Sequence, residues 1–154
     1  MPERIVKTDI DYPYTQMMED LIKLRQRYSF LSLGFYGQSV MGKRIPCIRI
    51  GNGQKQVFYS ASIHANEWIN TVVFMKFIED FSIAYQNNSE IFGQSAREIY
   101  SNASIFIAPM ANPDGVDLVL GRIPQNTNFY KNAVSISENY PAVPFPSGWK
   151  ANIL

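Results

Sequence analysis

The chain has 154 residues, 46% of them hydrophobic and 18% charged, so it fits one domain and can bury a core. Its net charge of +1 and its lack of a basic cluster exclude strong attraction to nucleic acid or acidic membranes. The single cysteine, Cys47, excludes an internal disulfide. There is no apolar signal-peptide core at the start and no apolar run long enough to span a bilayer. We therefore expect no membrane span and, by default, a cytoplasmic location.

The first 50 residues predict a helix and a β-hairpin. Apolar residues at helical spacing predict an amphipathic helix over residues 14–28. Residues 30–40 predict one strand and residues 44–50 a second, with a turn at Met41-Gly42-Lys43 between them. Pro46 has no amide hydrogen for a neighbouring strand, which favours an edge position for the second arm.

A strand, a long helix and another strand follow. Residues 57–62 predict a buried strand, and residues 68–85 a helix that is apolar over most of its circumference. A short helix over residues 95–100 precedes a second buried strand over 103–110. This order is typical of a parallel strand pair. We therefore predict an α/β fold whose mixed sheet has parallel central strands and helices on both faces.

The last third of the chain is predicted to be mostly irregular. Asn112-Pro113-Asp114-Gly115 has the composition of a turn, and residues 116–120 allow one helical turn. Polar residues dominate 121–132, and prolines recur after that. We interpret the stretch from residue 121 as a long surface excursion.

The only histidine, His64, stands where the predicted buried strand gives way to the long helix, three residues before Glu67. Imidazole nitrogen and carboxylate oxygen are both zinc ligands, and ligand sites of open α/β sheets collect at the carboxyl ends of strands. The alternative is structural, with Glu67 stabilised by the helix dipole and His64 satisfied at a strand end. The spacing of the two residues leaves both interpretations open.

The number of ligands is a separate question. A catalytic zinc normally has three protein ligands, commonly two histidines and a glutamate, plus an open position for water. This chain has no second histidine. Cys47, Asp114 and Asp117 are chemically acceptable substitutes, but their spacing does not favour them. The residues thus leave three alternatives: an incomplete chain, a ligand from a partner, or no catalytic metal.

Two cations, Arg122 and Lys150, lie nearest to the loops that follow the second buried strand. Either can bind a substrate carboxylate or polarise a scissile carbonyl. The alternative is that both are solvated surface charges. No residue of the chain is predicted to act as a catalytic acid or base.

Two motifs, in this order and spacing, resemble the zinc metallocarboxypeptidase family. They are Ser62-Ile63-His64-Ala65-Asn66-Glu67-Trp68 and Pro109-Met110-Ala111-Asn112-Pro113-Asp114-Gly115-Val116. Within that family, residues 64–70, 112–119 and 147–153 are most similar to the bacterial γ-D-glutamyl-L-diamino acid endopeptidases, which cut peptidoglycan stem peptides.

The resemblance implies that His64 and Glu67 are the first two ligands of a Zn²⁺ cofactor, and that the third ligand and the general base lie beyond Leu154. It implies that residues 1–154 are the N-terminal part of a single catalytic domain, with a truncated sheet. Lys150 lies near the position of an arginine that stabilises the oxyanion in relatives. Asn66 replaces an arginine that is common in digestive carboxypeptidases.

We therefore predict a zinc-dependent metallopeptidase whose substrate is a peptide or a peptidoglycan stem peptide. The resemblance also allows a cell-wall location for an intact relative. Two alternatives remain: a zinc deacylase of N-acyl amino acids, and a non-catalytic α/β binding module. The motif at residues 112–116 favours the peptidase, whereas the single histidine favours the module. With two ligands and no base, we expect weak metal binding and no useful turnover from this chain alone.

Overall fold

The computed structural model describes residues 3–152, which form a four-stranded sheet with helices packed against it. The helices are α1 (Tyr14–Arg27), α2 (Ile69–Gln86), α3 (Ala96–Asn102), α4 (Pro113–Val119) and α5 (Asn128–Ser137). The strands of the sheet are β1 (Ser32–Gln38), β2 (Arg44–Ile50), β3 (Lys55–Ser60) and β6 (Ala103–Ala108), and a small hairpin consists of β4 (Glu90–Ile91) and β5 (Gln94–Ser95). None of the helices in the described part of the chain has the length and apolar character needed to cross a bilayer.

The sheet has the order β1-β2-β6-β3 and is mixed. β1, β2 and β6 are antiparallel neighbours, whereas β3 and β6 are parallel, with Val57 opposite Ile105 and Ser60 opposite Ala108. The predicted α/β class and the predicted parallel pair are confirmed. This pair lies at one side of the described sheet rather than at its centre, because β3 is an edge strand.

One face of the sheet carries the main core. Alternate residues of β2 and β6 point to this face, where α1 and α2 cover them. The fully buried side chains of this core include Ile48, Ile50, Ile107, Met17, Leu21, Leu24, Met75 and Ile78. On the opposite face Phe58 is 59% exposed and Tyr36 is 52% exposed. Within residues 3–152, the expected helical cover is therefore seen on one face of the sheet.

β2 is an interior strand, so the edge position inferred from Pro46 is wrong. Pro46 lies opposite Phe35 of β1, and β6 pairs with β2 only over residues 48–50. Pro46 is thus outside the stretch that bonds to β6. Its missing amide hydrogen removes no hydrogen bond to that strand, which is why an interior position tolerates proline here.

Two predictions for the last third of the chain are also wrong. The Asn112 motif is the start of a helix rather than a free turn: the Asn112 side chain caps α4 and proline occupies the first helical position. The supposed surface excursion contains α5, whose cap is Thr127 and whose Ala133 is buried. The polar composition of this stretch favoured an irregular structure, so the helix that begins after the capping threonine was not predicted.

Two adjacent acids of α2 anchor the N-terminal segment. The buried carboxylate of Glu79 accepts hydrogen bonds from the backbone N–H groups of Ile5 and Val6. Asp80 pairs with Arg4 of the segment and with Lys76 of its own helix. These contacts hold residues 4–6 against α2.

We expect the Asp80 part of this anchor to weaken in acid. Burial raises the pKa of Asp80, but hydrogen bonds from Lys76 and Arg4 outweigh it, so the pKa lies below its usual value. A lowered pKa gives stability that is present above the unfolded pKa of about 3.9 and is lost as the pH falls through the folded pKa. Asp80 is 37% exposed, so solvent screening limits the effect to at most about 1 kcal/mol.

Chemical denaturation of the wild type and of Asp80→Asn at several pH values measures this effect. The difference in unfolding free energy should be present at neutral pH and should disappear as the pH falls through the lowered pKa of Asp80. The exposed Asp9→Asn is the control and should show no such difference. A difference between wild type and Asp80→Asn that does not change with pH would contradict the prediction.

Candidate metal centre

The ends of the two parallel strands bring the two sequence motifs together. After β3 the Ala61 N–H donates to the carbonyl of Ala108 at the end of β6 (3.0 Å), and the Ala61 carbonyl accepts from Ala111 N–H (2.8 Å). The Asn112 N–H donates to the Ser62 carbonyl (3.1 Å). These bonds continue the ladder beyond the strands. His64 and Asn112 therefore lie on adjacent loops at the carboxyl edge of the parallel pair.

The side chains of His64 and Glu67 meet at this edge. His64 precedes a 3-10 turn, Ala65–Glu67, which returns the Glu67 carboxylate towards the imidazole. His64 Nδ1 and Glu67 Oε1 are 3.0 Å apart, and the two side chains are 54% and 43% exposed. They open into a cleft of about 220 Å³ that Asn70, Val73 and Phe74 of α2 also line.

The donor atoms of this pair suit one zinc ion. Ligand bonds of about 2.1 Å at tetrahedral angles place two donor atoms about 3.4 Å apart. The separation of 3.0 Å between Nδ1 and Oε1 requires only a small adjustment. Among residues 3–152, however, no group of three or more His, Cys, Asp or Glu side chains is placed to hold a metal ion. The described residues therefore offer two candidate ligands for such a site.

A hydroxyl pair fixes the backbone around Glu67. The Thr71 hydroxyl donates to the Pro109 carbonyl (2.6 Å) and lies 2.7 Å from the Ser62 hydroxyl. Because the Thr71 proton is used on Pro109, the single proton of the Ser62 hydroxyl is shared between Thr71 Oγ1 and the Glu67 carbonyl (3.1 Å). Ser62 has a φ of 50°, a conformation that these bonds help to hold. The Glu67 backbone is thereby tied to the end of the β6 strand.

The amide side chain of Asn112 connects three segments. Its Nδ2 group donates to the carbonyls of Ile63 and Ala151, both at 3.2 Å, and its Oδ1 accepts from Gly115 N–H at 3.0 Å. Both amide hydrogens and the oxygen are thus used. One side chain caps α4, holds the residue before His64 and holds the last described segment of the chain.

Gly115 allows α4 to approach the 3-10 turn closely. A Cβ atom at this position would lie 2.7 Å from the Cβ of Ala65 and 2.6 Å from Nδ2 of Asn112. Both separations are shorter than real carbon contacts. Glycine is therefore required for α4 to pack against the turn that carries Glu67.

Asp114 and Asp117 form a buried network that sequence reasoning missed. Asp114 accepts hydrogen bonds from the Ser39 hydroxyl and the Met41 N–H, both at 2.9 Å. Lys43 Nζ lies 3.2 Å from Asp114 and 2.9 Å from Asp117. The network ties α4 to the turn between β1 and β2, so these carboxylates have partners other than His64 and Glu67. No local pattern predicts it, because its partners are about seventy residues away along the chain.

Two other residues considered from the sequence lie elsewhere. Arg122 Nη2 is 3.7 Å from Asp11 Oδ2, and both side chains are exposed. Cys47 is half-buried on β2, and burial raises the pKa of its thiol. The structure brings neither residue into the cleft of His64 and Glu67. A substrate-binding role for Arg122 stays a prediction.

Lys150 has a backbone link to the site. Its carbonyl accepts a hydrogen bond from Ala65 N–H (2.9 Å), one residue after His64. Its side chain is exposed. The structure therefore places the Lys150 backbone beside the turn that carries His64 and Glu67, and a substrate-binding role for its side chain stays a prediction.

An exposed imidazole–carboxylate pair at the carboxyl end of two parallel strands offers the kinds of donor atom that zinc accepts. Residues 17–152 match the family model described as zinc carboxypeptidase. The chain belongs to the zinc carboxypeptidase family, whose cofactor is Zn²⁺.

Two curated relatives illustrate the match. The chain is 43% identical to gamma-D-glutamyl-L-diamino acid endopeptidase 1 of Lysinibacillus sphaericus, over 97% of this chain and 37% of that protein. It is 33% identical to metallocarboxypeptidase A of Trichophyton rubrum, over 66% of this chain and 23% of that protein. The chain thus spans well under half the length of these relatives. Both are peptidases, so the comparisons do not favour a deacylase or a non-catalytic module.

Solved structures show the same fold. The bovine thrombin-activatable fibrinolysis inhibitor in complex with tick carboxypeptidase inhibitor matches with a TM-score of 0.66 at 14% identity, covering 94% of this chain and 38% of that chain. Carboxypeptidase A from Helicoverpa armigera matches with a TM-score of 0.62 at 22% identity, covering 75% of this chain and 28% of that one. These likenesses confirm a carboxypeptidase fold over part of the known chains.

Proposed function

We propose that residues 1–154 are the N-terminal part of the catalytic domain of a zinc-dependent peptidase that hydrolyses γ-D-glutamyl–diamino acid bonds of peptidoglycan stem peptides. The observation that carries this proposal is the 3.0 Å approach of His64 Nδ1 and Glu67 Oε1 in an open cleft. The likeness to the Lysinibacillus sphaericus endopeptidase supports the substrate class.

In this proposal His64 and Glu67 hold the zinc ion. Zinc in such a site polarises a scissile carbonyl and lowers the pKa of a bound water. His64 would bind the ion through a neutral nitrogen and Glu67 would add one negative charge, so these two ligands would leave the ion with a net positive charge. Asn112 and Thr71 fix the two loops, which limits the reorganisation that metal binding needs.

Lys150 is the proposed source of a second positive charge. Its carbonyl bond to Ala65 holds its backbone next to the pair, and its side chain is exposed. A cation there stabilises negative charge that develops on a carbonyl oxygen during attack.

We expect the isolated chain to bind zinc weakly, because two protein ligands replace the usual three. Isothermal titration should give a dissociation constant in the micromolar range or above, and His64→Ala should abolish the signal. Asp11→Asn, which changes an exposed acid paired with Arg122, is the control and should bind as the wild type does. Submicromolar binding of one zinc ion to the monomer would contradict the prediction.

A chimaera tests the reaction. Residues 1–154 replace the matched segment of the Lysinibacillus sphaericus endopeptidase, and circular dichroism confirms that the product is folded. The chimaera should release the diamino acid from a γ-D-glutamyl peptide, and His64→Ala or Glu67→Ala should reduce the rate at least about a hundredfold. Full activity of either variant would refute the metal role. Cleavage of ordinary peptides alone would refute the substrate class.

A further inference from the structure

A cavity lined by apolar and aromatic side chains lies between the end of α5 and residues 140–151. It has a volume of about 400 Å³. Three of its lining residues, Ile136, Tyr140 and Val143, are 41%, 61% and 46% exposed. Apolar side chains that are exposed singly are ordinary, but a cluster of them around a cavity marks a binding site.

The buried part of the lining is held in place by packing. The rings of Phe145 and Trp149 meet edge to face, with their centroids 5.8 Å apart. The indole N–H of Trp149 donates to the Asn152 carbonyl (3.2 Å), so the rest of the ring offers an apolar surface. A Cβ atom at Gly148 would lie 2.9 Å from Val143 Cγ1. Glycine therefore allows the segment to fold closely on itself, and the cavity has a fixed wall.

The cavity adjoins the turn that carries His64 and Glu67. Lys150 and Ala151 line the cavity, and the Lys150 carbonyl accepts a hydrogen bond from Ala65 N–H (2.9 Å), one residue after His64. A peptide advances by only about 3.3–3.6 Å per extended residue. A substrate whose scissile bond lies at His64 therefore reaches the cavity with groups that are a few residues away from that bond.

The chemistry of the cavity favours one side of the scissile bond. The diamino acid on the leaving side carries ammonium and carboxylate groups, which an apolar lining would desolvate without replacing their hydrogen bonds. On the other side, the glutamyl nitrogen of a stem peptide is joined through alanine and a lactyl group to N-acetylmuramic acid. The methyl groups and the C–H face of this sugar suit aromatic and aliphatic walls. The free α-carboxylate of the γ-linked glutamyl residue also complements the charge of Lys150.

We propose that this cavity binds the N-acetylmuramoyl end of the stem peptide, with Tyr140 and Val143 in contact with the sugar. This inference rests on the proposed function and narrows its substrate to stem peptides that are still attached to the glycan. The cavity is far larger than the methyl side chain of alanine, so it has room for the sugar ring. Binding energy from the sugar, remote from the scissile bond, would then favour glycan-linked substrates over free peptides.

Two probes that differ in the sugar test the cavity in the 154-residue chain. They are N-acetylmuramoyl-L-alanyl-D-glutamic acid and N-acetyl-L-alanyl-D-glutamic acid, whose dissociation constants are measured by isothermal titration and ligand-detected NMR. The muramoyl probe should bind at least about tenfold more tightly, because only it buries a sugar in the cavity. Tyr140→Ala should weaken its binding at least about fivefold and should leave the N-acetyl probe unaffected.

Two further variants make the test specific. Val143→Asp places a charge in the cavity and should weaken the muramoyl probe as Tyr140→Ala does. Tyr36→Ala removes an exposed tyrosine on the open face of the sheet, outside the cavity lining, and should bind both probes as the wild type does. Circular dichroism checks that each variant is folded.

The chimaera with the Lysinibacillus sphaericus endopeptidase tests the same site during catalysis. A γ-D-glutamyl substrate that carries the N-acetylmuramoyl group should have a KM at least about fivefold lower than the same peptide with an N-acetyl group. Tyr140→Ala should remove this advantage while the rate on the N-acetyl peptide stays the same.

Equal affinity of the chain for the two probes would overturn the sugar site, and so would unchanged binding in both Tyr140→Ala and Val143→Asp or an equal loss in Tyr36→Ala. Tighter binding of L-lysyl-D-alanine than of either probe would assign the cavity to the leaving side. Probe binding needs no catalysis, so a chimaera that binds the muramoyl probe but cleaves nothing would refute the proposed reaction alone. A chimaera that cleaves both substrates with the same KM would refute the sugar site alone.

Discussion

Replacing Asp114 with alanine should lower the free energy of unfolding by about 3–5 kcal/mol, because it leaves the partly buried Lys43 ammonium with one carboxylate instead of two. Asp114 is completely buried and accepts from the Ser39 hydroxyl and the Met41 N–H, which also lose their partner. Urea denaturation followed by tryptophan fluorescence measures the change. The midpoint should fall with an unchanged slope.

The matched control removes an exposed aspartate from an ion pair. Asp11→Ala breaks the 3.7 Å contact with Arg122, in which both side chains are more than half exposed. Such pairs contribute about 0–1 kcal/mol. Equal losses for the two variants would mean that the Asp114 network does not hold α4 to the hairpin turn. A loss below about 1 kcal/mol for Asp114→Ala would lead to the same conclusion.

Local patterns predicted the helices and the four main strands of the first 110 residues, but the strand predicted to be buried, β3, is mostly exposed, and the small hairpin of β4 and β5 was not predicted. The strand predicted over residues 44–50 is β2, and the helix predicted over 14–28 is α1 with its end one residue earlier. In both elements, the spacing of apolar residues shows which face packs against the core. α5 is as amphipathic as α1, but it is shorter, and the prolines and polar residues around it outweighed the Thr127 cap. Sheet order was beyond the sequence because pairing of β2 with β6 depends on segments more than fifty residues apart.

The candidate site also has one part that local sequence predicts and another that depends on the completed fold. His64 and Glu67 are three residues apart at the junction of a strand and a helix, so chain geometry alone brings them close. The Asn112 motif follows the neighbouring parallel strand, which made its proximity predictable. The role of Lys43 was not predictable, because only the completed fold places a hairpin-turn lysine between two carboxylates of α4. Sequence reasoning predicted the proximity of His64 and Glu67, whose role as metal ligands stays a prediction, and it missed the network that holds the neighbouring helix α4.

Asn112→Ala should lower the unfolding free energy by about 2–3 kcal/mol. It removes the cap of α4, which is typically worth about 1 kcal/mol, and it leaves the carbonyls of Ile63 and Ala151 without their donor. Urea denaturation measures the loss, and faster amide exchange of residues 62–67 should accompany it. Asn139→Ala, at an exposed asparagine whose amide contacts Ser135 and Ile136, should change stability by less than about 0.5 kcal/mol.

A double-mutant cycle with Gly115 shows whether Asn112 also limits how closely α4 approaches the turn that carries Glu67. Gly115→Ala alone should cost about 1–3 kcal/mol, because the new methyl group collides with the Asn112 side chain and with Ala65. In the Asn112→Ala background the collision with the Asn112 amide disappears, so the same substitution should cost less. Simple additivity of the two losses would mean that the Ala65 contact alone limits the approach of α4. In that case Gly115 would be needed for the 3-10 turn that carries Glu67, independently of the Asn112 cap.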